Sequence, residues 1–377
     1  LRVQLRNLAL LPALLLVGQP ARAGLEAEEQ EAGVRFEVFT DSDDVHVFSQ
    51  GGLWRLDLAH DSAINVGLTR EVVVVPGITA APGSQEAVDA ISGASRPIAT
   101  ASDPYTDWSK TRTQLDSSAR WHGVSAGYYA SKEDDYFAQQ VSGGVERSLL
   151  DENLVLAAGG SWGWDRIDPL ADEDTASPSD RKTTAHGDFV ATWTATPLTV
   201  LQGGAEISQV EGLQHNPYRN VYVAGAYVPE VHPDSRSRRD VFFKVNRYLS
   251  NRSSLKLDYK LYSDDWGVVS HTVGAKLLQY VGQSVVVRYR YRYYTQGAAD
   301  FYRTEYLAPG GVDGYRTADY RLGDFDAHLF GSKATWSFGR APWRWLGNVG
   351  LDVEYERYFN SNNFSANLFQ TGLSLTY

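Results

Sequence analysis

The chain has 377 residues, contains neither cysteine nor methionine, and carries a formal net charge of −11. Without cysteine there is no disulfide framework, thiolate metal site or thiol nucleophile. The acidic balance argues against a general nucleic-acid binder. Beyond the first residues, no apolar run is long enough to cross a membrane as a helix.

In chain order, residues 1–23 have the layout of a secretory signal peptide. Arg2 and Arg6 supply a positive start, Leu8 to Val17 a short apolar run, and Ala21-Arg22-Ala23 a small-residue cleavage site. Residues 24–377 are expected to form one exported domain. Its first part, 33–60, reads as one long strand or up to three short ones, and 63–75 reads as the next. After a long polar stretch, strands are expected near 116–130, 134–148, 153–166, 182–197 and 198–211. The series continues near 236–249, 253–264, 267–280, 283–296, 321–338, 346–359 and 364–377.

These strands alternate in polarity. In "VVVRYRYRYY" (285–294), Val287, Tyr289, Tyr291 and Tyr293 oppose Arg288, Arg290 and Arg292. Leu255, Leu257, Tyr259 and Leu261 alternate with Lys256, Asp258 and Lys260, and Leu351, Val353 and Tyr355 with Asp352, Glu354 and Glu356. Period-two alternation marks strands but does not say which face meets water. Three features favour lipid on the apolar side. The strands run to about ten residues or more, the length of a tilted membrane strand. The 22 tyrosines and 10 tryptophans often sit near strand ends, as in aromatic girdles. The chain stops on an amphipathic strand, "LFQTGLSLTY", with Phe369, Leu373, Leu375 and Tyr377 on one face. That ending resembles the signal read by the barrel-assembly machinery of outer membranes.

The fold expected is therefore all-β, a transmembrane antiparallel β-barrel of about 14 strands, with 16 as the alternative. Its last strand ends in the periplasm, so connections alternate sides counting back from Tyr377. The long connections 167–181, 212–235 and 297–320 then fall outside the cell, and short turns such as "YVGQS" and "TATPL" inside. One connection breaks the rule: 76–115, the longest, is assigned by this count to the periplasm.

The segments "HPDSRSR" (232–238), "LYSDDWGVVSHT" (261–272), "YRYYTQGAADFY" (291–302) and "TADYRLGDFDAH" (317–328) resemble the bacterial outer-membrane barrel family filed as domain of unknown function 3570. The resemblance covers nearly the whole mature chain. It implies a barrel in a Gram-negative outer membrane, encoded in many members beside a flavin transferase and a small lipoprotein, with no assigned activity.

Within 76–115, the stretch "DAISGAS" (89–95) resembles the acceptor motif of flavin transferases that act outside the cytoplasm. Asp89, Ser92, Gly93, Ala94 and Ser95 occupy the motif positions. The resemblance implies covalent FMN joined to Ser95 by a phosphoester, with Asp89 used in recognition. An acceptor must enter another enzyme's active site, and Gly93 and Ala94 keep the backbone slim enough to do so. Serine stands here where threonine is commoner. The bland alternative is a polar linker that happens to contain the motif.

Other candidates are weaker. The inward charges Arg288, Arg290, Arg292, Asp352, Glu354 and Glu356 invite a selective pore, but the simpler expectation is that they solvate a polar lumen and pair with one another. Either 76–115 or 297–320 could fold inward as a plug. The acidic stretch "ADEDTASPSD" (171–180) lacks the spacing and glycine of a calcium loop. Ser270 and His271 are adjacent on a strand, point to opposite faces, and cannot act together in hydrolysis. The sequence thus leads to an outer-membrane barrel carrying covalent FMN for extracytosolic electron transfer. Its expected partners are outer-membrane lipid, the barrel-assembly machinery, a periplasmic flavin transferase and a small lipoprotein. The alternative is a non-redox porin or structural barrel whose loop docks a periplasmic partner.

Overall fold

The computed structural model describes residues 27–42, 45–59, 61–75, 108–169, 179–217, 219–308, 310–340 and 348–376. The strands are, in order, β1 (Ala27–Asp41), β2 (His46–Leu58), β3 (Ser62–Val75), β4 (Trp108–Trp121), β5 (Val124–Lys132) and β6 (Tyr136–Leu149). They continue with β7 (Leu154–Ile167), β8 (Asp180–Thr196), β9 (Thr199–Gly212), the short β10 (Asn220–Val223) and β11 (Ala226–Pro229), and β12 (Ser235–Leu249). The last six are β13 (Ser253–Asp264), β14 (Val269–Val281), β15 (Val285–Gln296), β16 (Phe325–Arg340), β17 (Asn348–Asn360) and β18 (Ser365–Thr376). All but β10 and β11 form one closed antiparallel barrel of sixteen strands, shut by β1 against β18. The larger of the two expected strand numbers is the right one.

Register carries the alternation around the whole circumference, because residues paired across an antiparallel ladder share a face. Leu257 pairs with Ala275 and Ala275 with Tyr291, then Tyr291 with Phe330, all facing out. Outward apolar residues are widely exposed: Ile207 is 63% exposed, Val145 59% and Tyr289 56%. So large an apolar surface would aggregate in water. Against acyl chains it is the lipid-facing belt, with Trp121, Trp193 and Trp336 near one rim and Trp164 and Tyr293 near the other. The protein is one of the outer membrane.

The inward face is charged and largely paired. Across β16, Arg288 reaches Glu354, Arg290 reaches Glu356 at 2.8 Å and Lys333 meets Asp352 at 3.0 Å. Gly331 makes one of these pairs possible. It lies between Arg290 and Glu356 in the ladder, and a Cβ there would come within 2.9 Å of the Glu356 Oε1. The expectation that these charges pair with one another is met along this wall for Arg288, Arg290, Glu354 and Glu356 but, among the described residues, not for Arg292.

Two expectations need correction. The single strand expected at 116–130 is two, β4 and β5, joined by a turn at His122 (φ 48°) and Gly123 (φ 77°). Two consecutive positive φ values make the tight hairpin turn that fits strand twist. The pair is His-Gly rather than the more familiar Asn-Gly or Asp-Gly, and the outward face shifts by only one residue across it, from Trp121 to Val124. The extra strand reverses the count of sides. Val75 and Trp108, where the 76–107 connection leaves and rejoins the barrel, pair with each other at the end that also carries connections 168–179, 213–234 and 297–324. We call this the loop end. The opposite, turn end holds only short connections and the outer ends of β1 and β18. In outer-membrane barrels the longer loops are extracellular, so the base of the 76–107 connection is extracellular rather than periplasmic.

Two outcomes follow from this geometry. An epitope inserted between residues 76 and 107 is expected to bind antibody on intact cells; labelling seen only after the outer membrane is permeabilised would contradict the sixteen-strand count. Gly331→Leu is expected to push Glu356 off Arg290 and lower barrel stability by about 1–3 kcal/mol, the usual cost of overpacking. The loss should appear as a lower temperature for conversion of the compact band to the slower unfolded band on gels.

Candidate functional site

The loop end is roofed by an ordered cap built from connections 213–234 and 297–324. The hairpin β10–β11 is sewn to the second connection by Ala224 N–H to the Tyr306 carbonyl (2.8 Å) and Tyr306 N–H to the Tyr222 carbonyl (3.1 Å). Val231 and Arg316 exchange two further backbone bonds of 3.0 and 2.9 Å. The cap has its own small cores. Trp266, Val268, Ala299, Phe301 and Leu322 form one, and Val221, Val223 and Tyr306 another.

Between these cores lies a buried polar network. The Glu230 carboxylate, 1% exposed, accepts from the Thr317 hydroxyl at 2.7 Å and stands 3.9 Å from the Arg219 guanidinium, which pairs in turn with Asp319. Burial pushes the Glu230 carboxyl up to about 7 despite Arg219. His232 packs edge-on against Trp266, 5.4 Å between ring centroids, and near Phe301. Burial, with the charge of His215, pulls its imidazole down to about 3, and burial also lowers His215. Burial acts against the Asp319 carboxylate, but Arg219 and Arg321 together hold its pKa below the ordinary value.

The cap reaches into the lumen. The one-turn 3-10 helix Tyr320–Leu322 starts on Asp319, whose carboxylate accepts from the Arg321 N–H, and is tied to β15 by Gln296 Nε2, which donates to the Arg321 and Gly323 carbonyls at 3.0 and 2.6 Å. On one side it roofs a cavity of about 520 Å³ with Arg236, Arg238, Lys260, Tyr262, Ser270 and Gln296 in its lining. On the other, Tyr320 and Arg321 line a cavity of about 340 Å³ against Glu37, Glu71, Lys110 and Arg112 of β1, β3 and β4. The turn at Tyr320 therefore narrows the mouth between two walls. Of the two connections expected to be able to fold inward, 297–324 does so.

The residues read from sequence as a flavin site, Asp89, Ser92, Gly93, Ala94 and Ser95, lie outside the described residues, as do the signal segment 1–23 and most of the acidic stretch 171–180. Ser270 and His271 divide as expected: Ser270 is buried facing the lumen, and His271 faces out with Nδ1 2.7 Å from the Tyr259 hydroxyl. Among the described residues no group of three or more histidines and carboxylates could hold a metal ion. Sequence reading missed Glu230, Thr317, Arg219 and Asp319 altogether; only the glycines and aspartates around 310–319 hinted at a folded turn rather than open loop.

A closed sixteen-strand barrel with an apolar belt, a charged interior and an inward-folded loop defines an outer-membrane β-barrel. The chain belongs to the family described as protein of unknown function DUF3570, whose model matches residues 7–367. No curated protein matches it. Among solved structures it is similar to Pseudomonas aeruginosa OpdK with vanillate, at 9% identity and TM-score 0.44, over 93% of this chain and 98% of that one. The loop L8 deletion mutant of Vibrio cholerae OmpT is similar at 10% identity and TM-score 0.43, over 93% and 99% of the two chains. Pseudomonas aeruginosa OccK3 (OpdO) follows at 8% and 0.40, over 93% and 95%. At such identities neither cargo nor residue roles carry over.

The buried network makes cap stability depend on pH. Glu230, raised from 4.5 to about 7, takes up its proton in the closed cap before the open loop does, so closure weakens as pH rises through about 7. His232, lowered from 6.5 to about 3, is protonated first in the open loop, so closure also weakens as pH falls below 6.5, and His215 adds to that loss. Proteolysis of 213–234 and 297–324, normalised to an unfolded control, is expected to be slowest near about pH 6.5. Glu230→Gln should abolish the alkaline rise and keep the acid one; an unchanged alkaline limb would rule out Glu230 as its source.

Proposed function

We propose that the protein is a conduit across the outer membrane, narrowed at its extracellular mouth by the inward-folded cap. The observation that carries this reading is a continuous polar lining. The 520 Å³ cavity beneath the cap and a deeper one of about 210 Å³ share Lys260 and Thr272. Small barrels fill their interior with side chains, whereas sixteen strands leave room for water. Charged residues paired along the inner wall, rather than an apolar filling, support the same reading. Reconstituted in planar bilayers, the protein is expected to give discrete conductance steps. Replacing residues 303–322 by a short Gly-Ser linker should widen them, and steps of unchanged size would show that the cap does not set the constriction.

A covalent FMN at Ser95, serving extracytosolic electron transfer, is the second reading. It is supported by the acceptor-like stretch from Asp89 to Ser95. With the connection based at the loop end, a periplasmic transferase reaches Ser95 only before the barrel closes, while the chain crosses the periplasm. The flavin would supply one- or two-electron exchange, and the barrel anchorage and position. After co-expression with such a transferase, flavin fluorescence is expected to travel with the boiled polypeptide and to vanish in Ser95→Ala. A dark wild-type band beside an active transferase would remove this reading and leave the conduit untouched.

A further inference from the structure

The inward face of β12–β15 is unlike the paired wall beside it. One ladder row runs Asn246, Lys256, Lys276, Arg290 across these four strands, so that Lys256 stands directly opposite Lys276 and Lys276 directly opposite Arg290. Like charges placed directly across a ladder destabilise it. Arg290 is relieved by Glu356, but Lys256 and Lys276 make no ion pair among the described residues. One row nearer the loop end, Lys244, Asp258, Gly274 and Arg292 lie side by side. Lys244 rests on the Phe242 ring, and Arg292 has no acidic partner among the described residues.

Under the cap the pattern continues. Arg238 lines the 520 Å³ cavity, and its Nε is buried without a hydrogen-bond partner. The carboxylates on this wall are fewer than its cations, and most are engaged elsewhere. Asp264 is engaged by Arg236 at 2.5 Å, and Asp240 and Glu206 by Lys260 at 2.9 and 3.4 Å. Asp258 makes no direct ion pair among the described residues; it lies over Gly274, opposite Lys244, and its charge acts on Lys276. The deeper 210 Å³ cavity opens onto five cations, Lys244, Lys260, Lys276, Arg290 and Arg292, against two carboxylates, Glu206 and Asp258.

A row of like charges that is met by Glu356 only at Arg290, and by the single Asp258 beside Lys276, leaves an excess of positive charge that calls for a counter-ion from outside. We infer that the β12–β15 wall is a binding track for small oxyanions. Arg238 captures the anion beneath the cap, and the Lys256–Lys276–Arg290 row with Arg292 receives it below. Arg238 and Arg292 can engage a carboxylate through paired N–H donors, and the lysines act as point charges. The cavity beneath the cap has the volume of an ordinary small-molecule site. Lys260, which lines both cavities, joins the two halves of the track. The inference rests on the conduit reading and names what the conduit selects.

The test is bilayer conductance of the full chain under a potassium chloride gradient. The reversal potential is expected to lie on the chloride side, and added acetate should reduce chloride current by competing for the same cations. The double variant Lys256→Gln, Lys276→Gln should lower the anion-to-cation permeability ratio roughly fivefold, the scale of one lost charge interaction in water. Arg238→Gln should weaken acetate competition. The pair of lysines is also expected to leave the heat-conversion temperature of the barrel unchanged or raise it, because removing like-charge contacts relieves repulsion. A structural role would lower that temperature. A conducting barrel without anion preference, or a double variant with unchanged selectivity, overturns the track while sparing the conduit. A heat-modifiable barrel that never conducts overturns both.

Discussion

Everything in this structure depends on closure of the backbone ladder. Within hydrocarbon an unpaired N–H or C=O has no water to turn to, so a spanning sheet must have no edge. The β1–β18 pairing from Glu31–Thr376 to Asp41–Ala366 supplies that closure. Once the ladder is shut, each strand must put alternate residues into lipid and lumen, and each connection must fall on one of two sides. The single turn at His122-Gly123 therefore decides on which side of the membrane every residue of the preceding long connection is tethered.

Closure also explains why the lumen tolerates so much charge. Glu354 and Glu356 are buried against the barrel wall, yet each meets an arginine from β15 across a strand that supplies only Gly331 and Lys333 between them. An unpaired buried carboxylate would be costly, and a paired one is acceptable. Where pairing is complete the wall is electrostatically quiet. Where it is incomplete, along β12–β15, the wall retains a demand for anions that the chain does not meet.

Much of the barrel was legible from alternation alone. Segments such as 253–264 and 285–296 announce themselves because lipid and water select opposite side chains at every second position, and their bounds barely move between sequence and structure. The hairpin at 121–124 was hard to read because His122-Gly123 is an unfamiliar turn pair; its sign is a one-residue shift of the outward face, from Ala119 and Trp121 to Val124 and Ala126. The cap was less legible still. Glu230 and Thr317 are 87 residues apart, and nothing local to either marks it as the other's partner. The pairing of Arg288 and Arg290 with Glu354 and Glu356 could be anticipated as to chemistry but not register, because register is a property of neighbours two strands away. The candidate flavin acceptor remains a reading of sequence.

The two connections that build the cap leave from opposite edges of one wall. The first enters β12 and the second departs from β15, and they meet above the strands between through Val231–Arg316 and Glu230–Thr317. The cap is thus a strap buckled across the very strands whose inward lysines and arginines push one another apart. Repulsion spreads those strands and the buckle draws their outer edges together, so the mouth of the barrel is held under opposing loads. An anion settling among the cations would slacken one of those loads and not the other.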